Sequence, residues 1–207
     1  MCSGVVSGGI LLMHVVAYGG AFDPLHNGHV DIVNHLCSSN EINKLCLIPT
    51  GNPVHKSATF FSPDVRISML KCVFGTHPLI DILDIEIKKS QPSYTVDTIN
   101  VLGDMYNATA MSLVVGVDQW FQFHRWRRFD YILSKCQLWV APRDGISHES
   151  LMLAFPPELN AFKDKIHFLN VSPANVSSTR VRMMIKKKES LVGVVPERII
   201  PLLEGGQ

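Results

Sequence analysis

The chain has 207 residues, of which 46% are hydrophobic and 18% charged, a composition typical of a compact protein with one domain of ample core. Lys and Arg total 19 against 18 Asp and Glu, for a formal net charge of +1, so the chain lacks the basic excess typical of nucleic-acid binders and we expect no nucleic-acid partner. No apolar run approaches the ~20 residues that a membrane span requires, so we expect no membrane association.

The cysteine pattern indicates a reducing compartment. The 5 cysteines are odd in number, widely spaced and never in a C-x-x-C pair, which argues against a disulfide framework and against a zinc site. We therefore expect a cytoplasmic protein. The first residues lack the basic segment of a signal peptide, and cleavage there would remove a predicted strand. Residues 1–12 are interpreted as an N-terminal extension and residues 13–207 as one domain.

Strands and helices are predicted to alternate along the chain. Apolar runs predict strands at 14–18, 44–49, 79–87, 111–117, 137–141 and 166–169. Apolar spacing and caps such as Ser62 predict helices at 30–37, 63–74, 96–106, 178–187 and 196–203. This alternation predicts an α/β fold, a doubly wound parallel sheet with helices on both faces and a small C-terminal helical part. Residues 143–165 are the least regular and are interpreted as a variable surface excursion.

The segment after the first predicted strand has the pattern of a tight turn followed by a helix start. It reads Gly19-Gly20-Ala21-Phe22-Asp23-Pro24-Leu25-His26-Asn27-Gly28-His29. The paired glycines let a ligand approach the backbone, and the helix N-terminus offers N–H donors and a positive dipole end. His26 and His29 are three residues apart and therefore project from nearly the same face. The segment predicts a phosphate site, although histidine pairs at this spacing also occur as ordinary surface or core residues.

A second helix start near the C-terminus has the same character. Asn175-Val176-Ser177-Ser178-Thr179-Arg180-Val181-Arg182 is rich in hydroxyl groups and carries guanidinium groups that bind two oxygens at once. The plainer interpretation is that Ser177 or Ser178 caps the helix.

Three further stretches are candidates for ligand contact. The loop from Pro49 ends in the cationic pair His55-Lys56. The string Pro92-Ser93-Tyr94-Thr95 precedes a helix, where Ser93 or Thr95 could instead serve as its cap. Asp118 follows a buried strand and is expected at the carboxyl edge of the sheet. Trp126 lies in a stretch whose other aromatic residues, Trp120, Phe121, Phe123 and Phe129, are interpreted as core.

Together these motifs carry a resemblance. The His26-Asn27-Gly28-His29 block resembles the H-x-G-H signature of the nucleotidyltransferase superfamily, and its glycine-rich lead-in is similar to that of bacterial nicotinate-mononucleotide adenylyltransferases. The likeness extends from about Val15 to Leu203. It implies a Rossmann-like nucleotidyltransferase domain over residues 13–207, with ATP and nicotinate mononucleotide as substrates and Mg²⁺ bound through ATP. Catalysis would then rest on positioning and charge stabilisation, with the histidines acting as donors whose pKa rises on phosphate contact.

The resemblance also implies roles for individual residues. The implied catalytic residues are His26, His29, Lys56 and Arg182. The implied ATP-binding residues are Gly19, Gly20, Phe22, His26, His29, Ser177, Ser178, Thr179 and Arg182. The implied mononucleotide-binding residues are Asp23, Lys56, Tyr94, Thr95, Asp118 and Trp126. The sequence departs from the family's Pro-Pro-His-Lys loop at Val54, where a second proline is usual.

Several alternatives stay open at this stage. Neither G-x-G-x-x-G nor G-x-x-x-x-G-K-[ST] occurs, which excludes the standard dehydrogenase and P-loop fingerprints. An adenylyltransferase for nicotinamide mononucleotide or phosphopantetheine, or a catalytically silent nucleotide-binding module, would use the same fold. The sequence leaves a homo-oligomeric state open.

Overall fold

A single parallel sheet organises the structure, a computed structural model that describes residues 12–51, 59–142 and 148–205. Its 6 strands lie in the order β3-β2-β1-β4-β5-β6, and every neighbouring pair is parallel. The strands are β1 (His14–Gly20), β2 (Lys44–Pro49), β3 (Ile80–Ile82), β4 (Ala110–Gly116), β5 (Gln137–Ala141) and β6 (Ile166–Phe168). The doubly wound parallel sheet predicted from the alternating pattern is confirmed.

Helices connect the strands. In chain order they are α1 (Asn27–Cys37), α2 (Pro63–Phe74), α3 (Thr95–Tyr106), α4 (Val117–Trp120), α5 (Phe129–Lys135), α6 (His148–Leu153), α7 (Ser178–Lys187) and α8 (Ile200–Gly205). Short 3₁₀ helices cover Phe123–Arg125, Pro157–Lys165 and Glu197–Ile199. Within the described ranges, no helix is both long and apolar enough to cross a bilayer.

The sheet separates two apolar clusters, as helices on both faces require. Alternate residues of β1 enter opposite clusters, with Val16 in one and Val15 in the other. The Val16 cluster is filled by α1, α2, α7 and the C-terminal helices, and the Val15 cluster by α3 and α5. Both faces of β1 are therefore buried, and only the strand's end is left to reach a ligand.

The order of strands places a crevice between β1 and β4. The chain leaves β1 towards β2 on one side and later returns to β4 on the other, so the connections diverge at the carboxyl ends of these two strands. Ligands of open α/β sheets bind at such points. The glycine turn after β1 and Asp118 after β4 both lie there.

The helix starts partly follow the predicted caps. Ser62 accepts a hydrogen bond from the Val65 amide at 3.3 Å, and Ser177 caps α7, as predicted. The cap of α3 was predicted wrongly, because Tyr94 occupies that position without a side-chain hydrogen bond. The Ser93 hydroxyl instead donates to the Glu86 carbonyl oxygen at 3.3 Å.

Two sequence-based boundaries were wrong. The strand predicted over 79–87 ends at Ile82, after which the chain turns, with Lys88 N–H donating to the Asp84 carbonyl at 3.0 Å. Apolar residues in this stretch pack against the sheet from a turn, which an apolar run alone does not distinguish from a strand. Most of the described part of the predicted irregular excursion is instead helical, over His148–Leu153 and Pro157–Lys165, and Leu151 and Leu159 are buried. The short helices α4 and α5 were also missed.

A close contact explains the glycine of the first motif. A Cβ on Gly28 would lie 2.9 Å from the carbonyl oxygen of Ala174, in the segment that leads into α7. The Ala174 amide donates to Asp31 of α1 at 2.8 Å, and Asn27 N–H donates to Val194 at 3.0 Å. The first turn of α1 is therefore held against two C-terminal segments, and only a residue without a side chain fits at the junction.

We predict that Gly28→Ala lowers the free energy of unfolding by about 1–3 kcal/mol, because the added methyl group overpacks this junction. Chemical denaturation measures the change. The matched control is Gly103→Ala within α3, where the new Cβ would lie 3.7 Å from Met111 Sδ, an ordinary contact. Alanine should leave stability equal or raise it by about 1 kcal/mol there. Equal losses in the two variants would contradict the junction argument.

Candidate functional site

A cleft of about 1960 Å³ opens at the carboxyl ends of β1 and β4. Its walls come from the glycine turn and the first turns of α1, α3, α4 and α7, so segments distant in sequence meet there. The predicted site residues that line it are Gly19, Gly20, Asp23, His26, His29, Tyr94, Thr95, Asp118, Trp126, Ser177, Ser178, Thr179 and Arg182. Lys56 lies outside the described residues.

Phe22 is placed differently from the other predicted ATP-binding residues. Its side chain is 1% exposed, and its ring packs edge-on to the rings of His29 and Tyr18, with centroids 5.1 and 5.6 Å away. A Cβ on Gly20 would lie 3.2 Å from the Phe22 ring. The side chain therefore supports the turn and the histidine, and a direct contact with ATP stays a prediction.

The two histidines of the first motif stack on each other. Their ring centroids are 3.7 Å apart and their planes 23° apart. The backbone N–H of His26 donates to Nδ1 of His29 at 3.3 Å. Because Nδ1 accepts this bond, the neutral His29 ring carries its proton on Nε2. His29 therefore has an N–H to donate from Nε2 even when it is uncharged.

The surroundings of His29 disfavour a charge on its ring. Burial lowers its pKa well below the ordinary value of 6.5, and the nearby His26 lowers that pKa further by charge repulsion. The expected rise in pKa on phosphate contact concerns the ligand-bound state, in which a dianion would offset both effects. An incoming phosphate would thus meet an uncharged donor.

Asp23 links several segments of the cleft wall. Its two carboxylate oxygens accept hydrogen bonds from the backbone N–H groups of Phe60 and Phe61, each at 2.8 Å. Its backbone carbonyl accepts from Arg182 Nη1 at 2.6 Å, and the same nitrogen lies 3.8 Å from Asp23 Oδ2. These contacts favour a positioning role, while the predicted contact with the mononucleotide stays a prediction.

Arg66 is a structural residue of the site that the sequence motifs missed. It is 1% exposed, and its Nη1 donates to the carbonyl oxygens of Ala21 and Thr50, both at 2.9 Å. These bonds tie the glycine turn to the chain that leaves β2. Burial lowers the pKa of Arg66 and the nearby Asp23 carboxylate raises it. A signal was present, because Arg66 occupies the apolar face of α2 with Met69 and Leu70.

The hydroxyl groups at the start of α7 hold the segment in shape. Ser177 Oγ accepts from the Arg180 amide at 3.2 Å, and the Ser178 hydroxyl donates to the Pro24 carbonyl at 3.0 Å. Thr179 Oγ1 accepts from Arg182 Nη2 at 3.0 Å. The second motif is therefore built onto the first, and the Arg182 guanidinium is oriented along their shared border.

The opposite side of the cleft is formed by Tyr94, Thr95 and Trp126, with Asp118 exposed at the first turn of α4. Trp126 packs against the buried Phe123 ring at 4.9 Å. Of the aromatics interpreted as core, Trp120 and Phe123 are fully buried, whereas Phe121 is exposed. This side presents an aromatic surface beside a helix start, which suits a flat ring with a polar substituent.

Glu86 is a second lining residue that the motifs missed. Glu86 is buried, with 9% of its surface exposed. Its Oε1 accepts a hydrogen bond from the Thr98 hydroxyl at 2.8 Å. Burial raises the pKa of this carboxyl, and the hydrogen bond from Thr98 lowers it. In the described parts of the chain, no three His, Cys, Asp or Glu side chains form a group that could hold a metal ion.

Comparisons with known proteins agree with this geometry. The model of the cytidylyltransferase-like family matches residues 17–184. A probable nicotinate-nucleotide adenylyltransferase of Clostridium tetani is 31% identical over 188 residues, covering 90% of this chain and 94% of the relative. One of Fusobacterium nucleatum is 30% identical over 193 residues, covering 93% and 97%.

Solved structures share the fold. The nicotinic acid mononucleotide adenylyltransferase of Plasmodium falciparum, complexed with NaAD, superposes with a TM-score of 0.75 at 18% identity, over 92% of this chain and 94% of that chain. The same protein complexed with APC gives a TM-score of 0.73 at 16% identity, with the same coverage. The Rossmann-like fold is thereby confirmed.

We predict that Asp23→Asn lowers the free energy of unfolding by about 1–3 kcal/mol, because an amide side chain offers one acceptor where two backbone N–H groups donate. Amide exchange at Phe60 and Phe61 should accelerate. The control is Asp84→Asn, which removes an exposed ion pair with Lys88 and should cost about 0.5 kcal/mol or less. The positioning role is wrong if exchange at residues 60 and 61 is unchanged in Asp23→Asn.

Proposed function

Because the chain belongs to the cytidylyltransferase-like family, and within it to the nicotinate-nucleotide adenylyltransferases, we propose that it transfers the adenylyl group of ATP to nicotinate mononucleotide. The products would be nicotinate adenine dinucleotide and pyrophosphate, an activity that belongs to NAD biosynthesis. The observation that carries the proposal is the junction of the two motifs, where the histidine pair and Arg182 line one cleft opposite an aromatic wall.

The reaction requires charge stabilisation more than proton transfer. A phosphate oxygen of the mononucleotide attacks the α-phosphorus of ATP, one P–O bond forms, and the bond to the bridging oxygen breaks as pyrophosphate leaves. The attacking oxygen is already an anion, so no general base and no covalent protein intermediate are needed. The protein's task is to align two anions and to stabilise the charge that moves onto the leaving group.

The described residues suit that task on the ATP side. His29 donates from Nε2 while neutral, so it contacts the incoming triphosphate without first taking up a proton. Arg182 adds a fixed cation next to the same turn. As negative charge approaches, the pKa of His29 should rise, because an anion favours the charged form of the ring. Lys56 belongs to the same proposal as a further cation.

The other side suits the mononucleotide. Trp126 and Tyr94 offer aromatic faces for the pyridine ring, the start of α3 favours a carboxylate, and Asp118 could accept hydrogen bonds from ribose hydroxyls. The two substrates then meet over the glycine turn, where a Cβ on Gly19 would have only the Ile48 carbonyl oxygen within 4.0 Å, which leaves space for the reacting phosphates.

Mg²⁺ forms part of this proposal as an ion that enters with ATP. The lack of a metal-holding group among the described residues is compatible with coordination by phosphate oxygens and water. Bound in that way, the ion would neutralise triphosphate charge. A cytoplasmic location is proposed with it, supported by the four described cysteines, which are all free thiols.

The first experiment measures pyrophosphate release from ATP and Mg²⁺, with nicotinate mononucleotide, nicotinamide mononucleotide and phosphopantetheine as separate acceptors. We expect strong preference for nicotinate mononucleotide. Preference for another acceptor would overturn the substrate assignment and keep the reaction class. ATP binding without turnover on any acceptor would favour a silent nucleotide-binding module.

We predict that His29→Ala lowers turnover on the order of 10²–10³-fold, the usual loss when one preorganised donor to a developing charge is removed. Steady-state kinetics give the ratio, and thermal unfolding shows whether the variant is folded. His167→Ala is the control, because His167 is exposed on β6 and does not line the cleft. Unchanged turnover in a folded His29→Ala variant would remove the donor role.

A further inference from the structure

We propose that Arg127 determines the preference for a pyridine carboxylate over a pyridine amide. The inference rests on the proposed function and deepens it, because it names the side chain that distinguishes a charged from a neutral substituent on the mononucleotide's ring. The motifs that carry the family resemblance do not include this arginine.

The position of the guanidinium carries the argument. Arg127 Cζ lies over the ring of Tyr94, 4.6 Å from its centroid, and the residue lines the cleft together with Trp126 and Thr95. A pyridine ring stacked on Trp126, the preceding residue, would bring its substituent close to this guanidinium. The cation–π contact also restricts an otherwise flexible side chain, so that less entropy is lost when a ligand binds.

An acidic side chain of the protein already lines the cleft near the proposed subsite. The carboxyl group of Glu86 lines the same cleft, buried against Thr98 near the start of α3. A carboxylate entering beside an ionised Glu86 would be repelled unless a positive group lay nearby. On the opposite side of the cleft, Arg182 and Arg180 are directed to Asp23 and Asn175. Of the arginines that line the cleft, Arg127 is the one described as lying over the Tyr94 ring.

The chemistry distinguishes the two ligands. A guanidinium binds a carboxylate through two parallel, charge-assisted hydrogen bonds, whereas a neutral amide offers one acceptor oxygen and an NH₂ group that cannot accept. Losing a charge-assisted hydrogen bond typically costs about ten- to a hundredfold in affinity. The amide would lose far less, because it never makes the paired bonds.

The chain supplies a matched control. Arg128, the next residue, also stacks on a tyrosine, with Cζ 4.3 Å from the centroid of the Tyr131 ring. It does not line the cleft. Replacing Arg128 therefore removes the same charge and the same kind of cation–π contact without touching the proposed subsite.

The experiment compares wild type with Arg127→Gln, Arg127→Lys, Arg128→Gln and Arg125→Gln. For each, kcat/KM is measured with nicotinate and with nicotinamide mononucleotide, and the KM for ATP is measured as well. In Arg127→Gln we expect the ratio of acid to amide kcat/KM to fall about ten- to a hundredfold, mainly through the KM for the acid, with the KM for ATP unchanged. The ratio for Arg127→Lys should lie between those of wild type and Arg127→Gln. The ratio for Arg128→Gln should match that of wild type.

Three outcomes would overturn the inference. They are an unchanged ratio in Arg127→Gln, an equal loss for acid and amide, and a loss of preference in Arg125→Gln alone, since Arg125 also lines the cleft. Failure of the proposed function would be distinguishable from failure of this inference, because wild type would then turn over neither pyridine mononucleotide.

Discussion

The site depends on a buried polar network around Asp23 and Arg66. Arg66 ties the glycine turn to the end of β2, and Asp23 ties that turn to the start of α2 and, through its carbonyl, to Arg182. Buried charges are costly unless paired and hydrogen-bonded, so these groups hold one arrangement of the surrounding segments. The Arg182 guanidinium of the second motif is positioned by it.

Electrostatics divide the cleft into two unlike halves. On the α1 and α7 side, a stacked histidine pair and an oriented arginine face the space where a triphosphate would lie. On the α3 side, a buried carboxyl group and aromatic rings leave little tolerance for a second anion without a compensating cation. A chain of net charge +1 thus concentrates positive charge locally, and this is sufficient for small anionic substrates.

The site residues that the sequence predicted lie in short local patterns, whereas those it missed act through contacts distant in sequence. His26, His29 and Arg182 stand in short local patterns at helix starts, where backbone geometry alone suggests a phosphate site. Arg66 and Glu86 act through partners 12 to 45 positions away. The apolar face of α2 indicates that Arg66 is buried, but no local pattern identifies these partners. The strand predicted over 79–87 failed for a related reason, because an apolar run predicts burial without deciding between a strand and a packed turn.

The sequence by itself determined the alternation of strands and helices, the parallel sheet and the two helix starts that make the motifs recognisable, because these follow from local periodicity and backbone chemistry. Only the tertiary structure decided that Ser178 donates to Pro24, that Gly28 must accommodate Ala174, and that Arg127 lies over Tyr94. Each of these contacts joins segments brought together by packing on the sheet. Their energies depend on distances that the order of residues along the chain does not specify.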